Sequence, residues 1–432
     1  MKSKITLFWF RRDLRWHDNH ALYRALNASE NVVPIFIFDE NILDELPKDD
    51  ARLTFIHEIL NNLSNTKIQL KISCYYGKPE IVFEELIHNN EIEAVFTNHD
   101  YEPYAIQRDN NIAQLLEQNG IGFYTFKDHV IFEKAQILKD NGSPYVVYTP
   151  YMKAWKAKFI KEPIQSYKSE LLLDKVSTSF DYRMVTLSEM GFLKATQKVA
   201  AFRLSPDLIE NYEATRNFPA RNSTSKLGPH LRFGTVSVRE VVRQATQESN
   251  EIFWQELIWR EFFIQILWHY PHTQHKAFKP KYDRIAWRNS PEEFKKWCEG
   301  KTGYPIVDAG MRELNSTGFM HNRVRMITAS FLCKHLLIDW RLGEAYFAIK
   351  LHDYEMASNV GNWQWVAGSG VDAAPYFRIF NPTTQLQKFD KDHQYVKKWV
   401  PEYQDPSYCL PMVDHRDARE RCMKVYKEGL AN

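Results

Sequence analysis

Five short apolar runs in the first 130 residues constrain the fold more than any other feature of the chain. Segments of helical period separate these runs, as at residues 53–63 and 106–118. Strands that alternate with helices form a parallel sheet with both faces covered. We therefore predict an α/β fold with a Rossmann-like parallel sheet here. The predicted strands are residues 5–10, 32–38, 68–76, 94–98 and 122–126.

The pattern becomes helical after residue 200 and stays helical. Residues 127–200 contain several prolines and many lysines and show no strong period. The sequence therefore predicts an α/β domain at 1–130, a connector at 131–200 and an α-helical domain at 201–432. The segments with apolar residues three and four positions apart are 252–268, 311–317, 324–338 and 343–354.

Composition narrows the class of protein. Apolar residues make up 44% of the chain and charged residues 25%, as in globular proteins generally. The net charge of +2 neither requires nor excludes a nucleic-acid partner. The five cysteines lack a metal-ligand spacing and are interpreted as thiols in a reducing compartment. Because no signal peptide and no membrane-spanning run is recognisable, we expect an intracellular protein.

A cluster of charged residues follows the first predicted strand. Ligands bind at the carboxyl ends of strands in such folds, but a structural network of ion pairs explains the cluster equally well. No glycine-rich nucleotide-binding motif accompanies it. The cluster consists of Arg11, Arg12, Asp13, Arg15, His17 and Asp18.

Residues 353–382 combine two tryptophans, glycines and further aromatic residues. Trp363 and Trp365 are separated by one residue, and Gly368 and Gly370 follow. Glycine beside indole rings lets a planar group approach the backbone, although a buried core helix also explains the tryptophans. On a helix the two indoles would point about 200° apart, which favours separate roles.

Several polar residues have helical spacing or precede a predicted helix. Glu256, Trp259 and Arg260 would share one helix face, where a carboxyl group and an indole can bind a polar aromatic ligand. An ion pair of Glu256 with Arg260, or with an arginine elsewhere, is the alternative. Residues 224–230 (TSKLGPH) offer hydroxyls and backbone N–H groups to an anion, or form an ordinary helix start.

A second group, Asn322, Arg325 and Met326, has the same spacing. An amide suits the edge of a base or a flavin because it both donates and accepts. Arg325 with Asp353 would form a buried ion pair, which either tunes a redox ring or is purely structural. The polar residues that we predict on the helix that follows are Asp353, Glu355 and Asn359.

Together these motifs resemble the photolyase/cryptochrome family over nearly the whole chain, from residue 6 to Trp399. The chain is most similar to the class I cyclobutane pyrimidine dimer photolyases. The resemblance implies an N-terminal α/β antenna domain and a C-terminal α-helical FAD-binding domain. The strongest motifs are ELIWREFF, MRELNSTGFMHNRVRMITASFL, LLIDWRLGE and NWQWVAGSGVDAAPYFRIFNPTTQ.

The resemblance implies FAD, active in its reduced form, in the helical domain. It places the FAD phosphates near residues 224–227 and Asn359 opposite the flavin N5. Plant cryptochromes carry Asp at that position, so Asn359 favours DNA repair. Lys226 and Glu355 depart from the more usual Arg and Asp. The implied cofactor residues are Tyr212, Thr224, Ser225, Lys226, Leu227, Arg260, Arg325, Asp353, Glu355 and Asn359.

The resemblance also implies UV-damaged DNA as the partner, with a pyrimidine dimer flipped into a pocket. An electron from excited reduced FAD would split the dimer and then return, and Glu256 and Asn322 would hydrogen-bond the dimer. Photolyases of the (6-4) type place His where this chain has Asn322 and Met326. The implied substrate and DNA contacts are Glu256, Trp259, Asn322, Arg323, Met326, Trp365 and Arg378.

Two further roles rest on the resemblance alone. Trp363, Trp340 and Trp287 match an electron-hopping chain that re-reduces FAD. Glu102, in YEPYAIQRD, matches an antenna region, and the second chromophore would be a folate, a deazaflavin or a flavin.

The sequence favours a light-driven DNA repair lyase over two rivals. A cryptochrome photoreceptor usually carries a long C-terminal tail, whereas about 30 residues follow Trp399. A dark flavin oxidoreductase would need a nicotinamide-binding motif. We expect a monomer without a membrane partner, in the bacterial cytoplasm and associated with the nucleoid.

Overall fold

The computed structural model describes residues 4–64 and 70–431. The chain forms two compact units, each built from several segments that alternate along the sequence. The predicted domains at 1–130, 131–200 and 201–432 are single continuous segments, and their boundaries stay a prediction. Unit 1 comprises Met1–Gln136, Trp155–Ala200 and Leu227–Gln247, and unit 2 comprises Ile137–Ala154, Ala201–Lys226 and Glu248–Asn432.

Unit 1 contains a parallel sheet with strand order β3-β2-β1-β4-β5. The central strand β1 pairs with β2 and β4, so that Leu7 lies opposite Val33 on one side and Val95 on the other. The strand order reverses between β1 and β4, where such sheets can bind ligands. The strands are β1 Ile5–Phe10, β2 Val32–Asp39, β3 Ser73–Gly77, β4 Ile92–Asn98 and β5 Gly122–Phe126.

Helices cover both faces of this sheet, as the unbroken apolar run of β1 predicts. Along β1, Leu7 and Trp9 belong to the core on one face, and Phe8 and Phe10 belong to the core on the other. The α/β prediction is therefore confirmed. The third strand, however, begins at Ser73, and the predicted start at residue 68 lies outside the described residues.

Unit 2 is helical, as predicted for most of the second half of the chain. In chain order the helices of both units are α1 His20–Ala28, α2 Glu40–Leu43, α3 Ala51–Ser64, α4 Pro79–Asn89, α5 Pro103–Gln118, α6 Tyr148–Lys161, α7 Pro206–Glu210, α8 Tyr212–Thr215, α9 Gly228–Arg232, α10 Val238–Ala245, α11 Ile252–His269, α12 Pro291–Glu299, α13 Pro305–Thr317, α14 Asn322–Ser330, α15 Trp340–Lys350, α16 Met356–Ala367, α17 Pro382–Phe389, α18 Gln394–Trp399 and α19 His415–Ala431. Among the described helices, none is long and apolar enough to cross a bilayer.

Helix α16 lies against α11, α14 and α15 in the middle of unit 2. Two glycines permit this close packing. A Cβ atom at Gly343 on α15 would collide with the ring of Trp363, and one at Gly361 on α16 would collide with Phe263 on α11. The sequence thus places a large ring on one helix opposite a glycine on the neighbouring helix. These contacts let α11, α15 and α16 pack closely around a cavity.

Three helix predictions need correction. The helix predicted at 324–338 ends as an α-helix at Ser330 and continues as a π-helical turn over Phe331–His335. The helix predicted at 343–354 is α15, which ends at Lys350. Asp353 precedes α16 and Glu355 is its N-cap residue, so neither lies within the helix as predicted; Glu355 has an extended backbone, with φ −131° and ψ 117°.

Candidate active site

A cavity of roughly 340 Å³ lies in unit 2 between α11, α14, α15 and α16. Its walls combine carboxylates, arginines and amides with aromatic rings, as in sites for flat polar ligands. Sequence reasoning missed Arg216 and Phe263, which also line it. The predicted site residues that line the cavity are Glu256, Trp259, Arg260, Asn322, Arg325, Met326, Asp353, Glu355, Asn359, Trp363 and Trp365.

Helix α11 presents Glu256, Trp259 and Arg260 on one face, as their spacing predicts. The two charged residues do not pair with each other. Glu256 Oε1 accepts a hydrogen bond from Arg216 Nη1 at 2.5 Å, and Arg260 Nη2 donates to Glu355 Oε1 at 2.7 Å. The ion pair of Glu256 with an arginine elsewhere, one of the alternatives above, is therefore present, and it lies in the cavity wall.

Arg325 and Asp353 form the predicted ion pair, with Nη2 and Oδ2 2.9 Å apart. The Arg325 Nε also donates to the Met320 carbonyl at 2.7 Å, which fixes the guanidinium. In the described part of the chain, the buried Asp353 Oδ1 finds no hydrogen-bond partner. A buried carboxylate oxygen left in this way is costly, and because Asp353 lines the cavity, a ligand there can supply the missing donor.

Asn359 is held in one orientation by Glu344, a residue that sequence reasoning missed. The Asn359 amide nitrogen donates to the backbone oxygen of Glu344 at 3.1 Å and to its carboxylate at 2.9 Å. Burial raises the pKa of Glu344, although hydrogen bonds from Asn359 and Tyr354 act in the opposite direction. Since both contacts use the nitrogen, Asn359 Oδ1 is the amide atom left to accept a hydrogen bond from a ligand.

The tryptophans of α16 differ in their surroundings although both line the cavity. Trp363 is 2% exposed and meets Phe347 edge to face, with ring centroids 5.0 Å apart. Trp365 is half-buried, and the Arg378 guanidinium lies 5.9 Å from its ring centroid. A buried indole and a half-exposed one fit the separate roles expected from their spacing.

Other predicted site residues of unit 2 lie outside the cavity lining. Tyr212 packs edge to face on Phe253, with 5.2 Å between centroids. Arg323 donates to Asn217 at 2.6 Å and covers the ring of Phe389. Arg378 is exposed. Thr224, Ser225, Lys226, Trp287 and Trp340 are likewise absent from the lining.

Around residues 224–230, the structure gives no separate support for an anion site. Lys226 has a left-handed φ of 56°, and its ammonium lies 5.1 Å from the Phe319 centroid. Leu227 is buried in unit 1, where it precedes α9, a helix of five residues. The phosphate-binding role of this stretch stays a prediction from the resemblance.

In unit 1, the charged cluster after β1 is a network of ion pairs. Arg15 Nη2 lies 2.6 Å from Asp128 Oδ2, and Arg239 Nε lies 3.0 Å from Asp18 Oδ2. Glu102 belongs to the same region, because it pairs with an arginine of the cluster, Arg12, at 3.2 Å. The antenna role of Glu102 stays a prediction, while the ion pairs expected of a structural network are present.

Comparisons with known proteins agree with this architecture. Residues 6–168 match the family described as DNA photolyase, and residues 253–407 match the FAD binding domain of DNA photolyase. A curated relative from Agrobacterium fabrum, named deoxyribodipyrimidine photo-lyase, is 37% identical over 99% of this chain and 98% of its own length.

Solved structures show the same likeness. The crystal structure of a class III photolyase from Agrobacterium tumefaciens has a TM-score of 0.88 and 33% identity, and the match covers 100% of this chain and 99% of that one. An archaeal photolyase from Sulfolobus tokodaii, solved with two FAD molecules, has a TM-score of 0.84 and 34% identity over 98% of this chain and 100% of its own.

A parallel α/β unit, together with a helical FAD-binding domain built around an aromatic and charged cavity, defines a flavoprotein. The chain belongs to the DNA photolyase family. The cavity lies within the matched FAD-binding domain, apart from Arg216. Its residues fit a flavin, because they offer an acceptor at Asp353, a second at Asn359 and a wall of rings.

Proposed function

We propose that this chain is a deoxyribodipyrimidine photo-lyase, which uses light and reduced FAD to split cyclobutane pyrimidine dimers in DNA. One observation carries the proposal. The residues assigned to the flavin, such as Arg325 and Asn359, and those assigned to the lesion, such as Glu256 and Trp259, line one cavity. A cofactor and a dimer bound there would be in contact without an intervening protein wall. The photo-lyase relatives over the full chain length favour the same activity.

The flavin side of the cavity is formed by Arg325, Asp353 and Asn359. When bound, reduced FAD supplies the photoexcited electron that opens the cyclobutane ring and that afterwards returns. The Asp353 Oδ1 accepts a hydrogen bond from the cofactor, and the Arg325 guanidinium offsets negative charge on the ring. Asn359 Oδ1, held by Glu344, offers an acceptor to the protonated edge of a reduced flavin without adding a charge.

The lesion side is formed by α11, α14 and Trp365. A dimer must leave the duplex to reach the cavity, and the rings of Trp259 and Trp365 provide faces on which it stacks. Glu256 and Asn322 hydrogen-bond its polar edges. Because Glu256 is paired with Arg216, the carboxylate either shares or exchanges this partner when the dimer enters. Arg323 and Arg378 contact DNA phosphates outside the cavity.

We assign Trp363, Trp340 and Trp287 to the re-reduction of FAD. Trp363 lines the cavity, and its ring lies against Gly343, one helical turn after Trp340 on α15. Trp287 is half-buried and packs against the same core. A path from the cavity towards solvent through three indoles is consistent with these positions.

The partners follow from this activity. The substrate is UV-damaged DNA that carries a flipped pyrimidine dimer, and the protein acts as a monomer at the bacterial nucleoid in the cytoplasm. A second chromophore collects light. The two FAD molecules in the relative from Sulfolobus tokodaii support its presence, and folate, deazaflavin and flavin all remain candidates for its identity.

The proposal is tested on the purified holoenzyme, reduced under blue light and given an oligonucleotide with one pyrimidine dimer. We expect dimers to be lost under light and retained in a dark control. Light-dependent flavin reduction without any loss of dimers would overturn repair and favour a cryptochrome-type photoreceptor.

Two variants locate the lesion pocket. Glu256→Ala and Trp259→Ala should weaken repair by about tenfold or more, because each removes a hydrogen bond or a stacking face. The FAD absorbance per protein should stay unchanged, since neither side chain is assigned to the flavin. Loss of FAD in either variant would show that the pocket has been assigned to the wrong side of the cavity.

A further inference from the structure

Trp259, the proposed stacking residue on α11, has one of its two ring faces covered by Tyr148. The two rings are parallel within 7°, and their centroids are 3.6 Å apart. Tyr148 is 6% exposed, whereas Trp259 is half-buried and lines the cavity. The tyrosine therefore covers one face of the indole, while Phe263, which also lines the cavity, meets the indole at a wider spacing of 5.6 Å between centroids and 29° between ring planes.

Tyr148 is itself fixed by hydrogen bonds at both ends. Its hydroxyl donates to the carbonyl of Gln255, one helical turn before Trp259 on the same helix, at 2.8 Å. Its backbone N–H donates to the carboxylate of Asp372, in the loop after α16, at 3.1 Å. The residues around it are also attached to α11, because Gln265 donates to the Tyr145 carbonyl at 2.9 Å. These contacts make Tyr148 a rigid support and not a loosely packed core ring.

We propose that Tyr148 is a positioning residue for the lesion: by stacking on the rear face of Trp259, it holds the indole in the orientation on which a pyrimidine dimer stacks. The inference rests on the proposed function of Trp259. Phe262 and Phe263 also meet the indole, each at 5.6 Å between centroids, but of the three rings Tyr148 is the one parallel to it within 7°. Without Tyr148 the indole could tilt, and binding would have to select one orientation. Stacked aromatic pairs also add binding energy beyond the area they bury.

The two faces of Trp259 then have different functions. The rear face is covered by the Tyr148 ring of this chain, and the indole also lines the cavity, where the proposed function places the dimer. A support of this kind acts on damaged DNA but not on intact DNA, because an intact strand places no base in the cavity. Tyr148 should therefore affect discrimination between damaged and intact DNA and leave general DNA affinity unchanged.

The test measures dissociation constants of the holoenzyme for an oligonucleotide with one dimer and for the same oligonucleotide without it. Discrimination is the dissociation constant for the intact oligonucleotide divided by that for the oligonucleotide with the dimer. Tyr148→Leu removes the ring face and should lower this ratio by about three- to tenfold. Tyr148→Phe keeps the face and loses only the hydroxyl, so it should retain the ratio within about twofold. FAD absorbance should be unchanged in both variants. If the leucine variant does not fold, Tyr148→Met fills a similar volume without a ring and has the same expected result.

Tyr151 offers a matched control on the same helix. It is 1% exposed and packs on Phe262, with centroids 5.3 Å apart. Tyr151→Leu should therefore lose stability but keep discrimination. The proposal would be overturned by equal losses of discrimination in Tyr148→Leu and Tyr151→Leu. A loss in Tyr148→Phe as large as that in Tyr148→Leu would also overturn it.

A double variant separates this inference from the proposed function. In a Trp259→Ala background, Tyr148→Leu should cause no further loss of discrimination, since the tyrosine acts through the indole. If Trp259→Ala alone leaves discrimination intact, the proposed lesion pocket is wrong. If Trp259→Ala weakens it and Tyr148→Leu does not, only the role of Tyr148 is wrong.

Discussion

Arginine–carboxylate pairs occur in both units, but in unit 1 both oxygens of the buried central carboxylate are bonded, whereas in unit 2 the half-buried Asp353 leaves one oxygen without a partner among the described residues. In unit 1, Asp128 Oδ2 accepts from Arg15 at 2.6 Å, and its Oδ1 accepts from Arg239 at 2.9 Å and from the backbone N–H of His20 at 3.3 Å. Burial alone would raise the pKa of Asp128, but the two guanidinium groups hold it well below its usual range. Both oxygens of the carboxylate are therefore bonded within the protein.

In unit 2, Asp353 meets Arg325 at a similar distance, 2.9 Å, but only through Oδ2. Its Oδ1 lacks a partner among the residues described, and Asp353 is one of the residues that line the cavity. Both regions use arginine and aspartate, so residue type does not distinguish a structural ion pair from a binding site. The distinguishing property is the unmet hydrogen-bond capacity of a buried oxygen.

The largest effect expected from this comparison follows the removal of Asp128. Asp128→Ala leaves Arg15 and Arg239 buried without their common counter-charge, which should lower the free energy of unfolding by about 3–5 kcal/mol. Denaturant unfolding of the holoenzyme measures the loss. As a control, Glu58→Ala breaks an exposed pair with Lys194 and should change little. A loss as small as that of the control would mean that the network of unit 1 is not structural.

Much of unit 1 can be predicted from sequence, because its signals are local. The run ITLFWF is buried at every position, as a central parallel strand requires, and all five predicted strands exist. For the charged residues after β1, the sequence leaves two explanations, a ligand site and a network of ion pairs. It cannot decide between them, since Asp128 and Arg239 lie more than 100 residues away and join the network only after folding.

The candidate site shows the same division between local and distant information. Helical spacing correctly placed Glu256, Trp259 and Arg260 on one face, because α11 is regular. It could not identify Arg216 as the partner of Glu256, since 40 residues separate them. Of the two supports of the site, Tyr148 lies more than 100 residues before Trp259, and Glu344, although it ends the motif LLIDWRLGE, shows its contact with Asn359 only in the folded chain.

A buried histidine of unit 2, His321, is also surrounded by arginines, like Asp128 in unit 1, and it should make stability depend on pH. His321 is buried next to α14, and its Nδ1 accepts the backbone N–H of Arg323 at 3.1 Å. Burial, and after it the positive charges of Arg325, Arg323 and Arg216, lower the pKa of His321 from 6.5 to about 4. In unit 1 arginines keep a buried carboxylate charged, and here burial, assisted by arginines, keeps an imidazole neutral.

The free energy of unfolding decreases as pH falls from 6.5 towards 4, because the unfolded chain binds a proton at His321 in this range and the folded chain does not. His321 alone should account for a loss of about 3 kcal/mol between pH 7 and pH 4. His321→Asn keeps an acceptor for the helix start and cannot titrate. Parallel stability–pH curves of the two proteins would contradict the assignment.

Asp353→Asn tests the unmet oxygen directly. The amide keeps one acceptor for Arg325 and removes the charge that would accept from the flavin, so FAD affinity should fall by about tenfold, or about 1.4 kcal/mol. The dissociation constant is measured by titrating deflavinated protein with FAD. The corresponding substitution in unit 1, Asp128→Asn, also removes a carboxylate charge. It should reduce stability and leave the FAD affinity of the folded protein unchanged. Unchanged FAD affinity in Asp353→Asn would remove the distinction drawn between the two carboxylates.

The smallest effect is expected at Glu344, whose carboxylate acts on the ligand only through Asn359. Glu344→Gln replaces an obligate acceptor by an amide, so the Asn359 NH₂ group keeps the Glu344 backbone carbonyl as its acceptor but loses the carboxylate that also holds it. A reduced flavin then meets a less firmly oriented acceptor at its protonated edge, and the ratio of photoreduction to reoxidation rates should fall by about threefold, or about 0.7 kcal/mol. FAD affinity for the oxidised state should change less than this ratio does. Glu402→Gln, which alters a carboxylate paired with Arg312 away from the cavity lining, is the control and should leave the ratio unchanged. If Glu344→Gln behaves like Glu402→Gln, the carboxylate of Glu344 does not orient Asn359, and the hydrogen bond to the backbone carbonyl of Glu344 is sufficient to hold the amide.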